Sequence, residues 1–360
     1  MEKLKVGVVG YGGIFTGEHR PVWKSSNKAQ IVAVCDINPQ KLEKAKSEFG
    51  EDVKYFTDYK EMIDSVKPDI VDVCTPNYLH SPIACYALDH GAHVFSEKPD
   101  SISVEDVIKM KEAQERSGKV LMVMRNNRHI GSSQMLKEMI KNGELGEIYA
   151  GRCGWIRKRG IPGKGGWFTT KEMSGGGPLI DLGVHMIDLA IYLMGNPKPV
   201  SVVGSTYCKF ANDEEKADSV HASFGEKVEG GTFDVEDLAM GFIKFDNGAS
   251  LQIEFSWASN IEKEVRFVEL RGTEKGAKWE DGVFTLYDGK PNSKLKDKML
   301  IKKQLTYGNG NQGHRGNLLH FIDVVTNGAK PDFVIDQGID MIKILCAIYE
   351  SAKTGKEVIL

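Results

Sequence analysis

The chain has 360 residues, of which 41% are hydrophobic and 27% charged, the composition of a folded globular protein with room for two domains. A net charge of -3 argues against a nucleic-acid partner, and the sequence shows neither a membrane-spanning run nor a secretory signal. The six cysteines have no paired spacing, so we expect free thiols in the cytoplasm rather than a disulfide or metal framework.

The first predicted element is an apolar strand at residues 4–9, which runs into a glycine-rich turn. Gly10 and Gly12 match the first two glycines of a dinucleotide fingerprint, where the turn is tight and backbone N–H groups approach a pyrophosphate. Gly13 and Ile14 continue the turn. The third fingerprint position holds Phe15 instead of a small residue, which predicts altered packing between helix and strand.

A second buried strand, at residues 30–35, ends at Asp36. An acid at this position accepts hydrogen bonds from the ribose hydroxyls of an adenosine and repels a 2′-phosphate, so NAD is favoured and NADP stays possible. The alternative is that Asp36 caps a helix, but Asn38 and Pro39 already supply the cap and the first turn.

Strands and helices continue to alternate, which is typical of a doubly wound parallel sheet of the Rossmann type over residues 1–125. The predicted strands are 54–56, 69–74, 93–95 and 119–124, and the predicted helices are 58–66, 81–90 and 103–118, the last capped by Ser103. Ligands bind at the carboxyl ends of such strands. That edge gathers the segments 10–13, Asp36, 75–80, 97–99 and 125–128.

Lys98 stands out at this edge because it follows a strand and precedes Pro99, which restricts its backbone and permits a cis peptide bond. A lysine is ordinarily a solvated surface charge. The position and stiffness of Lys98 favour a functional role.

From residue 130 onward, longer strands with alternating apolar residues indicate an α+β domain over 126–360 with an open, mostly antiparallel sheet. Residues 251–257 read as a half-buried antiparallel strand, preceded by a hairpin signal at Asn247-Gly248. One sheet face should be covered by helices, and the C-terminal helix could pack back toward the first domain. The segment 211–237, rich in Gly, Asp and Glu, is expected to be a mobile surface excursion, and whether it forms a lid stays open. The other predicted strands are 147–156, 199–210, 238–245 and 265–271, and the predicted helices are 130–142, 314–326 and 336–354.

The segment 174–195 places a glycine triplet before an apolar helix that carries Asp181 and His185. Four positions apart, the acid and the imidazole share one helix face. The conflict between burial and polarity favours a functional site, although a hydrogen-bonded core histidine explains the pattern equally well. The run Arg157-Lys158-Arg159 beside aromatic residues is a solvated loop or part of a polyhydroxylated or anionic substrate site.

Taken together, several segments resemble the Gfo/Idh/MocA family of glucose–fructose and inositol dehydrogenase-like oxidoreductases, almost from end to end. The matching segments are VGVVGYGGIF, VCDINPQK, CTPNYLHSPIACYALDHGAHVFSEKP, GELGEIYAG, WFTTKEMSGGGPLIDLGVHMIDLAIYLMG and AIYESAKTGKEVIL. Phe15 departs from the usual small residue of the family.

The resemblance implies a Rossmann domain that binds a nicotinamide cofactor, a second domain that builds homodimers or homotetramers, and a sugar, inositol or polyol substrate, with no nucleic acid or membrane as partner. It implies catalytic roles for Lys98, Asp181 and His185, which also touch substrate. It places Thr75, Asn77, His80, Glu97, Lys98 and Asn126 at the cofactor, Trp167 at both ligands, and Arg157 and His314 at the substrate. His19 also fits the family pattern, and a structural role is expected for it.

Chemistry supplies a role for each catalytic residue. His185 can accept the hydroxyl proton, because imidazole titrates near neutral pH. Lys98 can stabilise the developing alkoxide and, beside a positive nicotinamide, could share in the proton transfer. Asp181 orients His185 or binds a substrate hydroxyl. No metal is required, because the ammonium group supplies the charge of a Lewis acid.

The leading hypothesis is therefore an NAD(P)-dependent dehydrogenase acting on CH–OH groups. A non-catalytic dinucleotide- and sugar-sensing regulator and an NAD-dependent glycosidase are the alternatives. A dehydrogenase releases NADH, a glycosidase cleaves a glycoside without net reduction, and a sensor does neither.

Overall fold

The computed structural model describes residues 2–211, 213, 225–288 and 313–360 and the backbone of 299–300. Its N-terminal part alternates strands and helices, and the predicted elements are confirmed with ends that differ by one or two residues. A short helix, α1, is an addition. In chain order the elements are β1 (Leu4–Val9), α1 (Arg20–Ser25), β2 (Ala29–Cys35), α2 (Pro39–Phe49), β3 (Lys54–Phe56), α3 (Tyr59–Val66), β4 (Ile70–Val73), α4 (His80–Asp89), β5 (His93–Ser96), α5 (Val104–Ser117) and β6 (Leu121–Val123).

Helix caps explain why these elements begin where they do. The side chains of Asn38 and Ser103 accept hydrogen bonds from the first-turn N–H groups of α2 and α5, as predicted. Asp58 caps α3 in the same way. The left-handed Gly118 ends α5.

Within the described residues, the first sheet has six parallel strands in the order β3-β2-β1-β4-β5-β6. The chain builds outward from β1 in one direction and from β4 in the other, so a crevice opens between the carboxyl ends of these two strands. The predicted doubly wound parallel sheet is confirmed.

Phe15 is fully buried in the core of this sheet, 5.5 Å from the ring of Tyr11. The segment Phe15–His19 forms a π-helical turn before α1 begins. The bulky residue at the third fingerprint position therefore coincides with a locally widened helix, which fits the expected change in packing.

The rest of the chain supplies a second sheet and its helices. The elements are α6 (Gly131–Lys141), β7 (Ile148–Ile156), α7 (Lys171–Ser174), a π-helical segment (Leu179–Gly183), α8 (Val184–Leu193), β8 (Pro199–Tyr207), β9 (Leu238–Phe245), β10 (Ser250–Ser256), β11 (Val265–Gly272), β12 (Lys275–Glu280), β13 (Val283–Asp288), β14 (Met299–Leu300), α9 (Gly313–Asn327), α10 (Ile335–Thr354) and β15 (Val358–Ile359). The sequence did not place α7, β12, β13, β14 or β15.

Across the described ranges, the second sheet has the order β14-β13-β12-β11-β7-β10-β9-β8-β15 and is mostly antiparallel. Strand β10 pairs antiparallel with β9 through the predicted Asn247-Gly248 turn, but it pairs parallel with β7. Helices α6 and α8 pack against this sheet. The predicted open, mostly antiparallel sheet is confirmed.

The chain divides into two compact units. The first comprises Met1–Met124 with His314–Ile342, and the second comprises Arg125–Gly313 with Lys343–Leu360. The division falls within α10, which gives its first part to one unit and its second part to the other.

Part of the segment 211–237 departs from its expected surface position. Residues 212 and 214–224 lie outside the described residues, but Val235, Glu236 and Asp237 are buried. The expectation of a surface excursion was wrong for this end of the segment, because both acids find backbone partners that repay their burial.

Among the described residues, one helical stretch, Lys171–Leu193, has the length and apolar composition of a membrane span. In its most apolar window, 83% of the residues are buried inside the protein. The stretch is therefore accounted for as a core helix.

Candidate active site

In the first unit, the turn after β1 has the shape that a dinucleotide requires. Gly10 has φ +97°, and a Cβ there would lie 2.4 Å from the carbonyl oxygen of Cys74, so only glycine fits. A Cβ added at Gly12 or Gly13 would meet nothing within 4 Å, so their backbone is open to a ligand. The turn fits the pyrophosphate of NAD, and Ile14 continues it into the helical turn.

Asp36 lies at the end of β2 as predicted and braces the neighbouring turns. Its two carboxylate oxygens accept hydrogen bonds from the backbone N–H of Tyr11 and of Asn38, both at 2.8 Å. Ile37, which the sequence analysis did not select, is 83% exposed. A carboxylate beside an exposed aliphatic side chain suits an adenosine ribose and the face of its base.

Three predicted cofactor residues follow β4. The hydroxyl oxygen of Thr75 is buried and makes no hydrogen bond to another of the described residues. Asn77 is buried in a short 3₁₀ turn. His80 is fully buried, with one ring nitrogen 2.7 Å from the carbonyl oxygen of Pro99 and the other 2.9 Å from that of Thr75, so it lies between the segments that follow β5 and β4. Burial lowers the pKa of His80.

A buried ionic network joins His19, Asp72 and Glu97, the residue that precedes Lys98. One ring nitrogen of His19 is 2.9 Å from Asp72, and the other is 2.9 Å from Glu97. Trp23 also donates to Asp72, at 2.7 Å. Because each ring nitrogen faces a carboxylate, both must carry a proton, and His19 is an imidazolium. Burial alone would lower its pKa, but Asp72 and Cys74 raise it well above 6.5.

Glu97 connects this network to the predicted catalytic lysine. Its second oxygen accepts the backbone N–H of Lys98 at 3.1 Å. Burial alone would raise the pKa of Glu97, but the hydrogen bond from His19 holds it far below 4.5. Lys98 itself is partly exposed, and the Lys98–Pro99 peptide is cis. The buried, ionised pair of His19 and Glu97 therefore holds the backbone of the segment that carries Lys98.

His314, predicted at the substrate, belongs to the first unit at the start of α9. Its Nδ1 is 3.5 Å from a carboxylate oxygen of Glu18. Burial lowers the pKa of His314, the charges of Glu97 and Glu18 raise it, and Lys98 lowers it again. The structure thus brings His314 into the electrostatic environment of the Lys98 segment.

In the second unit, the predicted pair lies on the buried stretch that follows the glycine triplet. From Gly176 to Ala190 every residue is buried except His185, which is partly exposed. Asp181 lies in the π-helical segment and His185 in α8, so the two are related by a widened turn rather than by a regular α-helical one.

Asn126 orients the imidazole of His185. The Asn126 side-chain oxygen is 3.0 Å from Nδ1 of His185. Since an amide oxygen only accepts, Nδ1 carries the proton and Nε2 is the nitrogen that can accept one. The structure therefore gives Asn126, predicted at the cofactor, a contact with the predicted base.

Asp181 and Arg157 lie in the same environment. The indole N–H of Trp257 donates to Asp181 at 3.0 Å. The ring of Trp155 is 6.1 Å from that of His185, and the Arg157 guanidinium lies 5.1 Å over Trp155. Burial lowers the pKa of Arg157, while the negative charge of Asp181 raises it. An acid, a base and an arginine thus converge around two tryptophans.

A second buried ionic cluster forms around Asp188 of helix α8. Arg128 donates two hydrogen bonds to Asp188, at 2.9 and 2.6 Å, and Arg125 lies 3.0 Å from the same carboxylate. All three residues are buried. Trp167, predicted to border both ligands, stacks on Phe168 at 3.8 Å in the loop before α7.

Sequence reasoning missed several residues that complete these sites. Trp257 ends the predicted strand 251–257, and nothing in that alternating pattern marks its indole N–H as the donor to Asp181. Glu236 and Tyr349 bond to each other and to the segment 177–179, although they are distant in sequence. Burial raises the pKa of Glu236. No local pattern could have linked these residues.

A nicotinamide-dependent oxidoreductase is the class of protein that this fold and turn define, and the comparison with known families agrees. Residues 4–125 match the oxidoreductase family with an NAD-binding Rossmann fold, and residues 133–278 match the GFO/IDH/MocA C-terminal domain. The chain belongs to the GFO/IDH/MocA family. The predicted family, dehydrogenase class and NAD cofactor are confirmed.

Particular relatives are similar over different lengths. The D-glucoside 3-dehydrogenase of Escherichia coli is 33% identical over 99% of this chain and 97% of its own length. The glucose-6-phosphate 3-dehydrogenase of Bacillus subtilis is 34% identical over 52% of this chain and 53% of its own length. The solved levoglucosan dehydrogenase in complex with NADH and levoglucosan has a TM-score of 0.84, 22% identity and 99% coverage of both chains.

Proposed function

We propose that this protein oxidises a secondary ring hydroxyl of a pyranose with NAD⁺, and that its substrate is a D-glucoside oxidised at carbon 3. The supporting observation is His185, the one partly exposed residue of a buried stretch, whose Nε2 is left as proton acceptor by Asn126. The named position and sugar come from the D-glucoside 3-dehydrogenase, which aligns along nearly the whole chain.

Bound NAD⁺ supplies the hydride acceptor, held by the turn 10–13, by Asp36 and by the end of β4. The reaction converts a CH–OH group into a carbonyl: hydride leaves carbon, and the hydroxyl proton passes to Nε2 of His185. Asn126 keeps the imidazole in the tautomer that can accept this proton.

In this proposal Lys98 stabilises charge and Asp181 binds the substrate. The Lys98 ammonium stabilises the oxygen as negative charge develops on it. Asp181, held by Trp257, accepts a hydrogen bond from a substrate hydroxyl and fixes the sugar against His185. In this proposal Arg157, Trp167 and His314 also contact the sugar.

The substrate assignment is tested by following NADH formation with methyl glucosides, free glucose, levoglucosan, glucose 6-phosphate and inositols. A glucoside should give the highest kcat/KM, with a 3-keto product identified by NMR. Preference for an inositol would overturn the glucoside assignment. Aglycone release without net NADH would indicate a glycosidase, and binding without either reaction would indicate a sensor.

Asp36→Ala should weaken NAD⁺ binding more than NADP⁺ binding, because it removes acceptors for the ribose hydroxyls and also the repulsion of a 2′-phosphate. We expect the Kd for NAD⁺ to rise about 10- to 100-fold, the range for a hydrogen bond to a charged group. Isothermal titration with both cofactors measures the ratio. The control is Asp58→Ala, which removes the cap of α3 in the same unit. An unchanged cofactor ratio for Asp36→Ala would contradict the ribose role.

We further propose that the enzyme is a cytoplasmic homo-oligomer that associates through the open face of the second sheet. Its six cysteines are all free, as suits a reducing compartment. Val203 on β8 and Phe242 on β9 are directly opposite each other and are 46% and 42% exposed. Phe242→Glu should therefore lower the molar mass measured by light scattering, while the surface variant Lys109→Glu should not. An unchanged mass for Phe242→Glu would count against this face.

A further inference from the structure

The last two glycines of the triplet before the π-helical segment lie close to Tyr349 and Glu236, two residues from other parts of the second unit. A Cβ at Gly176 would lie 1.9 Å from the hydroxyl oxygen of Tyr349, and one at Gly177 would lie 2.1 Å from the carbonyl oxygen of Glu236. The absence of side chains at these positions lets Glu236 and Tyr349 reach the backbone. Gly176 and Gly177 are thus explained by contacts within the second unit.

Glu236 supplies the cap that this helical stretch lacks. Pro178, at the N-cap position, makes no side-chain cap hydrogen bond. One carboxylate oxygen of Glu236 accepts the N–H of Gly177 at 2.9 Å, and the other accepts the N–H of Leu179 at 3.1 Å. The hydroxyl of Tyr349 donates to Glu236 at 2.9 Å. A buried carboxylate therefore receives three hydrogen bonds at the end of the helix where negative charge is stabilised.

The next residue extends this contact to Asp181. The carbonyl oxygen of Asp237 accepts the backbone N–H of Trp257 at 3.0 Å, and the Trp257 indole donates to Asp181 at 3.0 Å. The N–H of Asp181 in turn bonds to the carbonyl of Gly177 at 3.0 Å. Glu236 and Asp237 thus close a ring of contacts that holds Asp181 from its backbone and from its side chain.

We propose that Glu236 is a positioning residue of the reaction, which sets the place of Asp181 and His185 by capping the stretch that carries them. This inference rests on the proposed function, because it takes Asp181 and His185 as catalytic residues. It assigns Glu236 no contact with substrate. A shift of about 1 Å in a catalytic group can cost 10²-fold in rate. The effect of losing the cap should therefore fall on kcat.

The test is Glu236→Gln, which keeps the shape of the side chain but turns one acceptor oxygen into an NH₂ group facing an N–H. We expect kcat to fall about 10- to 100-fold, with the Kd for NAD⁺ within twofold of wild type, because the cofactor turn lies in the other unit. Tyr349→Phe, which leaves both backbone bonds in place, should lower kcat by less. The matched control is Glu357→Gln, another carboxylate of the same unit that accepts from a hydroxyl.

A second readout reports the position of Asp181 without activity. In protein with ¹⁵N-labelled tryptophan, the indole signal of Trp257, assigned with Trp257→Phe, should shift in Glu236→Gln and stay in place in Glu357→Gln. A folded Glu236→Gln with an unmoved indole signal and kcat within twofold would overturn the positioning role. If Glu236→Gln does not fold, Glu236→Asp and Tyr349→Phe are judged by the same two measurements.

His185→Ala, measured in parallel, separates this inference from the proposed function. If His185→Ala keeps its kcat, the catalytic assignment fails whatever Glu236→Gln shows. If His185→Ala loses activity while Glu236→Gln keeps both its activity and its indole signal, only the positioning role fails.

Discussion

Replacing Lys98 by alanine is expected to lower kcat by about 10²- to 10³-fold, or roughly 2.7–4 kcal/mol, the range for removing one electrostatic stabiliser of a transition state. The Kd for NAD⁺ should stay within a few fold, because the pyrophosphate turn and Asp36 do not depend on this side chain. Steady-state kinetics with a glucoside and titration with NAD⁺ measure the two quantities.

Lys98→Arg tests the geometry of the charge. The guanidinium keeps a positive charge but is planar and larger than an ammonium, so only part of the activity should return. Lys109→Ala is the control, an exposed lysine of the same unit that pairs with Asp106 three residues earlier. Full activity of Lys98→Ala would remove the lysine from the mechanism, whereas a loss of NAD⁺ binding in parallel with kcat would point to a cofactor role.

His19→Ala is expected to reduce the free energy of unfolding by about 3–5 kcal/mol, because it leaves two carboxylates buried without their shared cation. Asp72 and Glu97 each lie 2.9 Å from the His19 ring, and His19 is fully buried. Urea denaturation followed by circular dichroism measures the loss. His19→Gln should also be destabilised, since an amide group donates to one carboxylate and turns its oxygen toward the other.

The pH dependence of this loss has a defined sign. The pKa of His19 is raised in the folded protein, so its stabilisation is complete below about pH 6.5 and is lost as the pH rises through the folded value. The pKa of Glu97 is lowered, so its stabilisation is present above about pH 4.5 and is lost as the pH falls. The difference between wild type and His19→Ala should therefore be largest between about pH 4.5 and 6.5.

His90→Ala is the matched control for this experiment. His90 is an exposed histidine of the first unit, 3.5 Å from Asp64, and its removal should change the free energy of unfolding by less than about 1 kcal/mol. An equal loss in both variants, or a loss in His19→Ala that does not vary with pH, would contradict a buried imidazolium.

The first unit was largely predictable because its signals are local. Each buried strand is a short apolar run, each helix carries its cap within a few residues, and Gly10 is required by the tight turn that follows β1. The second sheet was less accessible. The sequence did not place strands β12 and β13. The parallel pairing of β10 with β7 joins segments about 100 residues apart, which no local pattern records.

The candidate site divides in the same way. Lys98, Asp181 and His185 could be selected from the sequence, because a stiff turn and an acid–imidazole pair in an apolar helix conflict with ordinary burial. The residues that hold these three side chains in place could not be selected from the sequence. The pairing of His19 with Glu97 and of Trp257 with Asp181 depends on which distant side chains the fold packs together.

The sequence by itself therefore determined the class of fold, the cofactor and the residues that carry charge, because backbone geometry and helix capping act over a few neighbouring positions. Only the tertiary structure decided which nitrogen of His185 can accept a proton, why His19 is doubly protonated, and how Glu236 reaches the glycine triplet. Those properties depend on distances between atoms far apart in the chain, and such distances exist only once the core has packed.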